Sequence, residues 1–580
     1  PRQSRTTALD QADPGGLNTG APSPMSIASG LQRLRALGFR PTGTRASHRV
    51  FAGVLHCTRG DVPVQFEISD WDFTTYPRIS LLERPAFFPP LMPHISASGG
   101  ICYFAQGSVV LDRFRPDTAI WQCLEQARMV IDRAIEDPQY HSDEFRGEFW
   151  ANWLVAQDPP ALPGLIGAVE KNATTARYYL IGPDDGRRLY VASEPDEVSR
   201  FCEALGWPSP TLGMPCWILR SERVPALPTG ELPQTVHATF EWLKAWDQKL
   251  YRAIQARLAE RDYLKWSRCE LAIATPVGWI GFGFKLHAMT ARGFARRPKE
   301  YRNYLHQRGG STAIQRSVFQ DVSPDYVYQR NLVSLQRGTL AGKKIALVGC
   351  GALGGYLASA LLRLGAGTAG GTLHLQDVDE LQPDNLGRHR LGYNSLFDNK
   401  ATALKKMLDR ESPFANITIS EKSAVTHFPQ GFDLVINATG EQAVSEALNV
   451  QHVQASKRTP LLHVWIFGNG DCVQGLWVDS RKYGCYRCLT HNDEAQYGQP
   501  RFPLTDADTL RAFVGCHAFT PYGVSSPMSA TALAMDFIAD WLKGDVSPRF
   551  RLRYNEGSTL RRFKSQNVSP LQGCPACQPQ

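Results

Sequence analysis

Residues 343–365 read KKIALVGCGALGGYLASALLRLG, and this stretch decides how the C-terminal half of the chain folds. An apolar strand leads into Gly349, Gly351 and Gly354, and an apolar helix follows. This is the setting in which a GxGxxG pattern indicates a nucleotide-binding turn. Glycines permit the tight turn and let a phosphate approach backbone N–H groups at the positive end of the helix. The stretch therefore predicts a strand, a phosphate-binding turn and a helix.

Segments with the pattern of strands alternate with helical segments after residue 321. The predicted strands are KKIALVG, TLHLQDVD, NITIS, DLVINAT, PLLHVWIFG and CVQGLWV, with glycine-containing turns between them. Such alternation predicts a mostly parallel, doubly wound sheet. We therefore predict a Rossmann-like α/β domain over residues 321–580.

Acidic and basic side chains follow the second of these strands. Asp377 closes TLHLQD, at the place where an acidic residue holds a ribose in nucleotide-binding sheets. Asn385, Arg388 and Lys400 come next, in DNLGRHRL and DNKATAL. Because Arg and Lys neutralise phosphate charge, this set favours a triphosphate over a nicotinamide dinucleotide. The alternative, a nicotinamide oxidoreductase, would not explain the two basic residues.

The run D-x-D-x(5)-N-L-x-R, followed by a lysine, resembles the adenylation domain of ubiquitin-activating enzymes and of the ThiF/MoeB-like enzymes of thiamine and molybdopterin synthesis. The resemblance implies that ATP and Mg²⁺ bind here and that a protein C-terminal carboxylate attacks the α-phosphate to form an acyl adenylate. It assigns the ribose to Asp377. It assigns phosphate contacts to Asn385, Arg388 and Lys400.

Two further positions can be compared with that family. In DYVYQRNL, Arg330 resembles the arginine that one subunit of a dimeric adenylation domain lends to the nucleotide of its partner, which implies a homodimer. Where relatives carry a magnesium-binding aspartate in a D-C-T-D turn, this chain has INATGEQAV, with Gly440 at the place of the acid. Glu441 or Asp379 would then hold the Mg²⁺.

Four cysteines form two CxxC pairs, Cys485 with Cys488 in GCYRCLT and Cys574 with Cys577 in GCPACQPQ. Four thiolates at this spacing are typical of a tetrahedral zinc site, provided that the tail folds back onto the first pair. The alternative is a redox dithiol, although redox CxxC motifs open a helix in a different fold. The adenylating family carries a structural zinc in this arrangement, so the resemblance implies a zinc that holds the fold and does not react.

Cys516 lies between the two pairs, in FVGCHAFTPYGVSSPM. Adenylating relatives that go on to form thioesters keep a nucleophilic cysteine in this region, before a similar P-x-G-V-x-x-P-M entry into the last helix. An acyl adenylate is a good acyl donor, and a thiolate is the best side-chain nucleophile at neutral pH. The resemblance therefore implies a thioester on Cys516, and the alternative is a structural thiol.

A second candidate nucleophile is Cys102, in PPLMPHISASGGICYF. The stretch alone allows either a buried apolar thiol or an accessible one. Ubiquitin-conjugating enzymes carry H-P-N eight residues before an acceptor cysteine within G-x-I-C, and here M-P-H ends at His94, with Gly99 and Cys102 in register. The resemblance implies that His94 replaces the asparagine that steadies the oxyanion of the attacked thioester. A protonated imidazole would donate the same hydrogen bond.

The composition changes along the chain and predicts four parts. Residues 1–24 have the composition of a disordered tail. Residues 25–140 predict a helix, three strands, a loop with Cys102 and a second helix, and resemble the α+β ubiquitin-conjugating domain. Residues 141–320 predict an α+β linker domain, with helices such as ATFEWLKAWDQKLYRAIQARLAERDY and no motif that indicates chemistry. Residues 321–580 resemble the ThiF-type adenylation domain, and the resemblance implies a structural zinc.

The overall composition excludes several classes of protein. The chain has 580 residues, with 63 basic and 55 acidic side chains, and a net charge of +8 over this length does not indicate a nucleic-acid partner. No secretory signal pattern precedes the 13 cysteines, so we expect reduced thiols and a cytoplasmic location. The most apolar stretch is interrupted by Arg363 and several glycines, so we expect no membrane segment.

The parts together resemble the fused ubiquitin-activating and ubiquitin-conjugating proteins of bacterial cyclic-oligonucleotide antiphage defence (CBASS). The resemblance implies an ATP-dependent enzyme that adenylates the C-terminus of a cGAS-like nucleotidyltransferase or a ubiquitin-like protein. The acyl group would pass to Cys516, then to Cys102, and then to a lysine of a target, priming the defence. ATP, Mg²⁺ and Zn²⁺ are the expected cofactors. The alternatives are a sulfur-carrier-activating enzyme, which would not need Cys102, and a non-catalytic scaffold, which Gly440 and His94 allow.

Overall fold

A computed structural model of the chain describes residues 24–45, 48–96, 98–154, 163–228, 230–287, 293–455, 459–506, 509–514 and 517–578. The predicted tail, residues 1–24, lies outside the described residues except for Pro24. The chain divides into two compact units, the first comprising Pro1–Pro163 and Cys216–Phe319 and the second Gly164–Pro215 and Gln320–Gln580. Among the described residues, no helix has the length and apolar character needed to cross a bilayer.

The N-terminal part of the first unit is an antiparallel sheet with helices before and after it. Its elements are α1 (Pro24–Ala36), β1 (Arg40–Arg45), β2 (His48–Cys57), β3 (Gly60–Ile68), β4 (Arg78–Leu81), α2 (Pro116–Glu136), α3 (Pro138–Gly147) and α4 (Phe149–Asn152). The strand order is β1-β2-β3-β4, and neighbours pair antiparallel. The predicted helices and strands are confirmed. β1, with the sequence RPTGTR, lacks apolar alternation and was not predicted.

One apolar core explains why these elements form. On β3, Val62, Val64 and Phe66 alternate with less buried residues and are fully buried, which is typical of a strand with one face against a core. On α2, Ile120 and Leu124 are one turn apart and face the same core. The buried face of β3 and the buried face of α2 therefore pack against each other in a single apolar layer.

The segment predicted as a linker, residues 141–320, contributes elements to both units. Its elements are β5 (Gly164–Ile166), β6 (Thr175–Ile181), β7 (Arg188–Ala192), α5 (Pro195–Leu205), β8 (Met214–Arg220), α6 (Val236–Trp246), α7 (Gln248–Arg257), β9 (Arg268–Thr275), β10 (Gly278–Lys285), α8 (Pro298–His306) and β11 (Ile314–Asp321). In the first unit, β10 pairs antiparallel with both β9 and β11. In the second unit, β7 pairs parallel with β5 and antiparallel with β6.

The segment ATFEWLKAWDQKLYRAIQARLAERDY forms two helices, α6 and α7, where one was predicted. Asp247 separates them, because its Oδ1 accepts the backbone N–H groups of Lys249 (2.8 Å) and Leu250 (3.1 Å). The Ser221 hydroxyl donates to Oδ2 at 2.7 Å. An aspartate that caps backbone N–H groups in this way lies just before a helix, in extended conformation, and so begins a new one.

The C-terminal part of the second unit alternates strands with helices. Its elements are α9 (Pro324–Gln329), β12 (Lys344–Val348), α10 (Ala352–Arg363), β13 (Thr372–Gln376), α11 (Lys400–Glu411), β14 (Ile417–Ser420), β15 (Leu434–Asn437), α12 (Gln442–Gln454), β16 (Leu461–Phe467), β17 (Cys472–Val478), β18 (Ala512–Val514), β19 (His517–Phe519), α13 (Ser525–Lys543) and β20 (Phe550–Tyr554). Seven described strands form a sheet in the order β14-β13-β12-β15-β16-β17-β20. The first four pairings are parallel and the last two antiparallel, which confirms a mostly parallel sheet.

Helices cover both faces of this sheet. Ile345 and Leu347 of β12 pack in the core that contains α10, whereas Ala346 and Val348 pack in the core that contains Leu448 of α12. Successive strand residues point to opposite faces, so the sheet is doubly wound. β12 pairs with β13 on one side and β15 on the other, so the winding reverses at β12. Ligands bind outside the carboxyl ends of the strands at such a reversal.

Candidate functional site

The glycine turn, residues 349–354, joins β12 to α10 at this reversal. Gly349 has φ +90°, and a Cβ atom there would lie 2.7 Å from the backbone nitrogen of Thr439. A Cβ atom at Gly354 would lie 1.8 Å from the Gly349 oxygen, whereas one at Gly351 would have no described atom within 4 Å. The protein's own packing therefore requires two of the glycines. The third leaves open space before the positive end of α10, where a phosphate is favoured.

Asp377 ties the end of β13 to this turn. Its Oδ2 accepts the N–H of Cys350 at 2.6 Å, and its Oδ1 accepts the N–H of Asp379 at 2.8 Å. Burial raises the pKa of Asp377 above its ordinary value, although the two N–H groups and the nearby Lys400 oppose the shift. Each oxygen keeps further acceptor capacity, so the carboxylate can also accept from a ribose hydroxyl.

His389 is a buried partner of the same turn that sequence reasoning missed. Its ring Nε2 lies 2.8 Å from the oxygen of Cys350, and its Nδ1 accepts the N–H of Leu391 at 3.0 Å. This pattern fixes the neutral tautomer with the proton on Nε2. Burial lowers the pKa of His389, so the ring stays neutral. It connects the loop after β13 to the glycine turn, and its partner is 39 positions away in sequence, so no local pattern reveals it.

Lys400 and Asp379 form an ion pair beside Asp377. The ammonium of Lys400 lies 3.0 Å from Oδ2 of Asp379, and the N–H of Lys400 also donates to the backbone oxygen of Asp379 at 2.8 Å. The Lys400 side chain is only 11% exposed, whereas that of Asp379 is 64% exposed. The structure therefore brings together three of the predicted nucleotide residues and holds a cation among them.

Asn385 and Arg388 lie in the loop between β13 and α11. Asn385 Oδ1 accepts the N–H of Gln382 at 3.0 Å and shapes a short turn. The guanidinium carbon of Arg388 lies 5.1 Å from the ring centre of Tyr522 and 6.0 Å from that of Phe519. An aromatic face attracts a cation at this range. The structure therefore brings Arg388 to the segment between β18 and α13.

A buried polar network supports the turn at Gly440, which has φ +72°. Oδ1 of Asn437 accepts the N–H of Thr439 at 3.2 Å and its hydroxyl at 2.8 Å, while Nδ2 of Asn437 donates to the Ser445 hydroxyl at 2.8 Å. Glu441 follows this turn and is exposed. Since Thr439 also lies against the glycine turn, the loop after β15 flanks the predicted nucleotide site.

Among the described residues, Arg330 is not in contact with the predicted nucleotide residues. Arg330 follows α9 and is exposed, and its guanidinium carbon lies 5.6 Å from the ring centre of Tyr326. Cys516 lies outside the described residues. The strands on either side of it, β18 and β19, pair antiparallel with Val514 opposite His517.

The four cysteines of the two CxxC pairs come together, with their Sγ atoms all within 4.8 Å of one another. The Sγ separations are 3.8 Å for Cys485 and Cys488, 3.9 Å for Cys485 and Cys574, and 3.6 Å for Cys488 and Cys577. A disulfide needs about 2.05 Å, whereas thiolates at about 2.3 Å from one tetrahedral ion are about 3.8 Å apart. The amide of Asn449 donates to Cys485 Sγ at 3.4 Å. The cluster could therefore hold zinc.

Cys102 is exposed, unlike the other cysteines that the structure describes, which are buried or half-buried. The neighbouring Ile101 is buried in the core of the N-terminal sheet, and its N–H donates to the oxygen of Ile79 in β4 at 2.8 Å. The N–H of Cys102 donates to the oxygen of His94 at 2.8 Å, which closes the loop. Partial burial of the thiol and the charge of Glu148 raise the pKa of Cys102.

His94 lies at the start of this loop, with φ +62°, a conformation that costs a non-glycine residue about 1–2 kcal/mol. Its ring Nδ1 lies 2.8 Å from Oε1 of Glu148, and its Nε2 lies 3.2 Å from the Tyr140 hydroxyl and 3.6 Å from Oε2 of Glu144. Burial alone would lower the pKa of His94, but the hydrogen bond and charge of Glu148, with the charge of Glu144, hold it above its ordinary value. Both ring nitrogens therefore face these residues of α3 and the α3–α4 junction.

Two family models match separate ranges of the chain. Residues 328–565 match the ThiF family, and residues 43–160 match the Prokaryotic E2 family B. The glycine turn, Asp377 and Lys400 lie within the first range, and His94 and Cys102 lie within the second. A solved structure of Escherichia coli MccB with ATP overlaps 49% of this chain and 74% of its own, at 16% identity and a TM-score of 0.32, which is too low to compare the folds.

Relatives of similar length match most of the chain. The ATP-dependent ubiquitin transferase-like protein Cap2 of Pseudomonas aeruginosa is 31% identical over 518 residues, which cover 88% of this chain and 90% of the relative. Proteins of the same description from Escherichia coli and Vibrio cholerae are each 25% identical, covering 89% and 84% of this chain and 91% and 88% of their own. This chain therefore belongs to the family of ATP-dependent ubiquitin transferase-like Cap2 enzymes, with an E2-like domain before a ThiF domain.

Proposed function

We propose that the chain conjugates the C-terminus of a partner protein to a lysine by way of two thioesters. The partner's carboxylate attacks the α-phosphate of ATP, forming an acyl adenylate and releasing pyrophosphate. The thiolate of Cys516 displaces AMP, and the thiolate of Cys102 then displaces Cys516. The amine of a target lysine displaces Cys102, loses a proton and leaves an amide. By family resemblance, the partner is a cGAS-like nucleotidyltransferase or a ubiquitin-like protein, and its conjugation primes antiphage defence.

The exposure of Cys102 is the observation that carries this proposal. A sulfur-carrier-activating enzyme would use the same ATP site and the same zinc cluster, but it would have no need of an accessible thiol in an E2-like domain. Ile101 is anchored in the core and the Cys102 N–H is bonded to His94, so the thiol is held at the surface at a defined place. This arrangement suits a residue that receives and passes on an acyl group.

The nucleotide residues support the first step. The open space at Gly351 and the positive end of α10 suit a phosphate, Asp377 suits the ribose, and the buried ammonium of Lys400 suits a phosphate oxygen. Asn385 and Arg388 are proposed as further phosphate contacts. Mg²⁺ would be held by Asp379, Glu441 or both, because hard cations prefer carboxylate oxygens. Zinc in the four-cysteine cluster would hold the tail against the ThiF domain.

The Arg388 contacts support the second step. Phe519 is three residues from Cys516, and three residues span at most about 10 Å of extended chain. Since Arg388 contacts Phe519 and Tyr522, a phosphate bound by Arg388 would be near the segment that carries the first thiol. We also propose a homodimer in which the exposed Arg330 reaches the nucleotide of the other copy.

Pyrophosphate exchange tests whether the chain adenylates at all. The native chain, ATP, labelled pyrophosphate and either a cGAS-like nucleotidyltransferase or a ubiquitin-like protein should give labelled ATP that depends on the partner's free C-terminus. Lys400→Ala should lower the exchange rate at least tenfold, since about 1.4 kcal/mol of phosphate binding is a factor of ten. Lys405→Ala is the matched control, because Lys405 is on the same helix and pairs with Asp409. A native chain without exchange would instead be a scaffold.

A further inference from the structure

The carboxylate of Glu148 contacts His94 at two places, the backbone N–H and the imidazole ring. Its Oε2 accepts the backbone N–H of His94 at 3.0 Å, and its Oε1 faces the ring Nδ1 at 2.8 Å. Glu148 itself is fixed at the junction of α3 and α4, where its N–H donates to the oxygen of Glu144 at 2.9 Å and its oxygen accepts from the Asn152 amide at 3.2 Å. A residue held by both its main chain and its side chain keeps one conformation, even the left-handed one that His94 adopts.

The other side of His94 holds Cys102. The oxygen of His94 accepts the N–H of Cys102, and Ile95 forms an antiparallel bridge with Ile101. The loop between them is also closed by the N–H of Gly100, which donates to Ser96 at 2.9 Å. Glu148 is therefore linked to the backbone of Cys102 through a single residue.

We propose that Glu148 is a positioning residue for Cys102, acting through His94. This inference rests on the proposed function, because it concerns the thiol that receives the acyl group. Rotation of residue 94 out of its left-handed conformation would turn away the oxygen that holds the Cys102 N–H. The acceptor thiol would then lose the fixed placement that acyl transfer between two thiols needs.

The charges around His94 allow the loss of Cys102 placement to be distinguished from a simple loss of stability. The groups facing the ring are Glu148, Glu144 and the Tyr140 hydroxyl, and Arg133 lies over the Tyr140 ring at 4.1 Å. The negative charge of Glu148 also raises the pKa of the Cys102 thiol, so it disfavours the thiolate. Glu148 thus helps the placement of Cys102 and opposes its ionisation. Its removal should change the two properties in opposite directions.

The test compares two rates in the full chain. The first is the transfer of the partner's acyl group to Cys102, and the second is alkylation of Cys102 by iodoacetamide between pH 6.5 and 9.5, followed by peptide mass spectrometry. Glu148→Ala should lower acyl transfer at least tenfold while moving the alkylation profile to lower pH. Asp143→Ala, which removes a carboxylate from α3 that pairs with Arg146, should change neither rate by more than about twofold.

Each outcome decides the proposal. Unchanged transfer in Glu148→Ala would overturn it, and so would a loss of transfer in which alkylation slows as well, since slower alkylation indicates that the Cys102 thiol has become buried. Glu148→Gln guards against misfolding, because it keeps one acceptor for the His94 N–H while removing the charge. It should shift the alkylation profile and lose less transfer than Glu148→Ala. If even the native chain accepts no acyl group, the proposed function fails. The alkylation profiles then still decide whether Glu148 affects the ionisation and accessibility of the Cys102 thiol.

Discussion

The guanidinium of Arg388 lies over the ring of Tyr522, with its central carbon 5.1 Å from the ring centre. Arg388 belongs to the loop after β13 that is proposed to bind phosphate, and Tyr522 belongs to the segment that joins β19 to α13. The contact therefore connects the predicted nucleotide loop to the neighbourhood of the proposed first nucleophile. A single side chain could therefore serve both proposed steps, adenylation and formation of the first thioester.

Variants of these two residues should separate the two steps. Tyr522→Leu removes the ring contact but no phosphate contact, so pyrophosphate exchange should stay within about twofold of the native rate. The thioester on Cys516 should form roughly fivefold more slowly, because a cation–ring contact is worth about 1 kcal/mol. Arg388→Ala should lower both rates, and Arg388→Lys should not restore them because lysine lacks the planar fork. Equal losses of exchange in both variants would contradict this division.

The glycines of the turn should differ in what they support. Gly354→Ala puts a Cβ atom 1.8 Å from the Gly349 oxygen, so we expect the second unit to lose roughly 2–3 kcal/mol of stability. Gly351→Ala meets no described atom within 4 Å and should change stability by less than about 1 kcal/mol. Its methyl group would occupy the space proposed for a phosphate, so ATP binding should weaken at least tenfold. Denaturant unfolding and nucleotide titration measure the two effects.

Metal removal should destabilise the second unit without touching the nucleotide site. The purified chain should contain about one zinc, and Cys574→Ser should lose it and lower the unfolding midpoint by several degrees, at roughly 2–4 °C per kcal/mol. Cys472→Ala is the matched control, because Cys472 is a fully buried cysteine outside the cluster. That variant should lose packing but keep its zinc. Full zinc content in Cys574→Ser would show that the cluster is not the site.

The His94–Glu148 pair should make stability depend on pH in a defined window. The folded pKa of His94 is raised above 6.5, so its contribution is complete below about pH 6.5 and is lost as pH rises through the folded value. The folded pKa of Glu148 is lowered below 4.5, although burial opposes the shift, so its contribution is present above about pH 4.5 and is lost in acid. His94→Gln should therefore cost the most near pH 5.5, by about 1 kcal/mol.

Urea unfolding of both chains between pH 4 and 9 measures this difference. The gap in unfolding free energy should shrink towards pH 9, where the histidine is neutral. A gap that is the same at every pH would mean that the contact is structural and uncharged.

Six of the seven described strands of the C-terminal sheet could be predicted, because each is a short, largely apolar run. The seventh, β20, has the sequence FRLRY, in which basic residues interrupt the apolar run, and it was not predicted. β12 and the glycine turn combine strand, glycines and helix in one local stretch. The CxxC spacing of the two cysteine pairs is itself typical of a zinc site. Their clustering could therefore be predicted although Cys485 and Cys574 are 89 positions apart. These are features in which local pattern and tertiary contact agree.

Two features could not be predicted, for the same physical reason: the end of one helix and start of the next at Asp247, and the contact of Glu148 with His94. Asp247 sits in a segment with continuous helical character, and the Ser221 hydroxyl that shares its carboxylate is 26 positions away. Glu148 is 54 positions from His94. A polar side chain whose partner is distant looks like any surface residue until the fold brings the two together. Tyr522 was overlooked for that reason as well.

The transfer of one acyl group between two thiols is tested most directly by trapping the adducts. The full chain, ATP and the partner protein are incubated, and adducts cleaved by a reducing agent are separated by non-reducing electrophoresis and mapped by mass spectrometry. Cys516→Ala should show no adduct, and Cys102→Ala should accumulate one on Cys516. An adduct on Cys102 that forms normally in Cys516→Ala, or adducts indifferent to both substitutions, would contradict the relay.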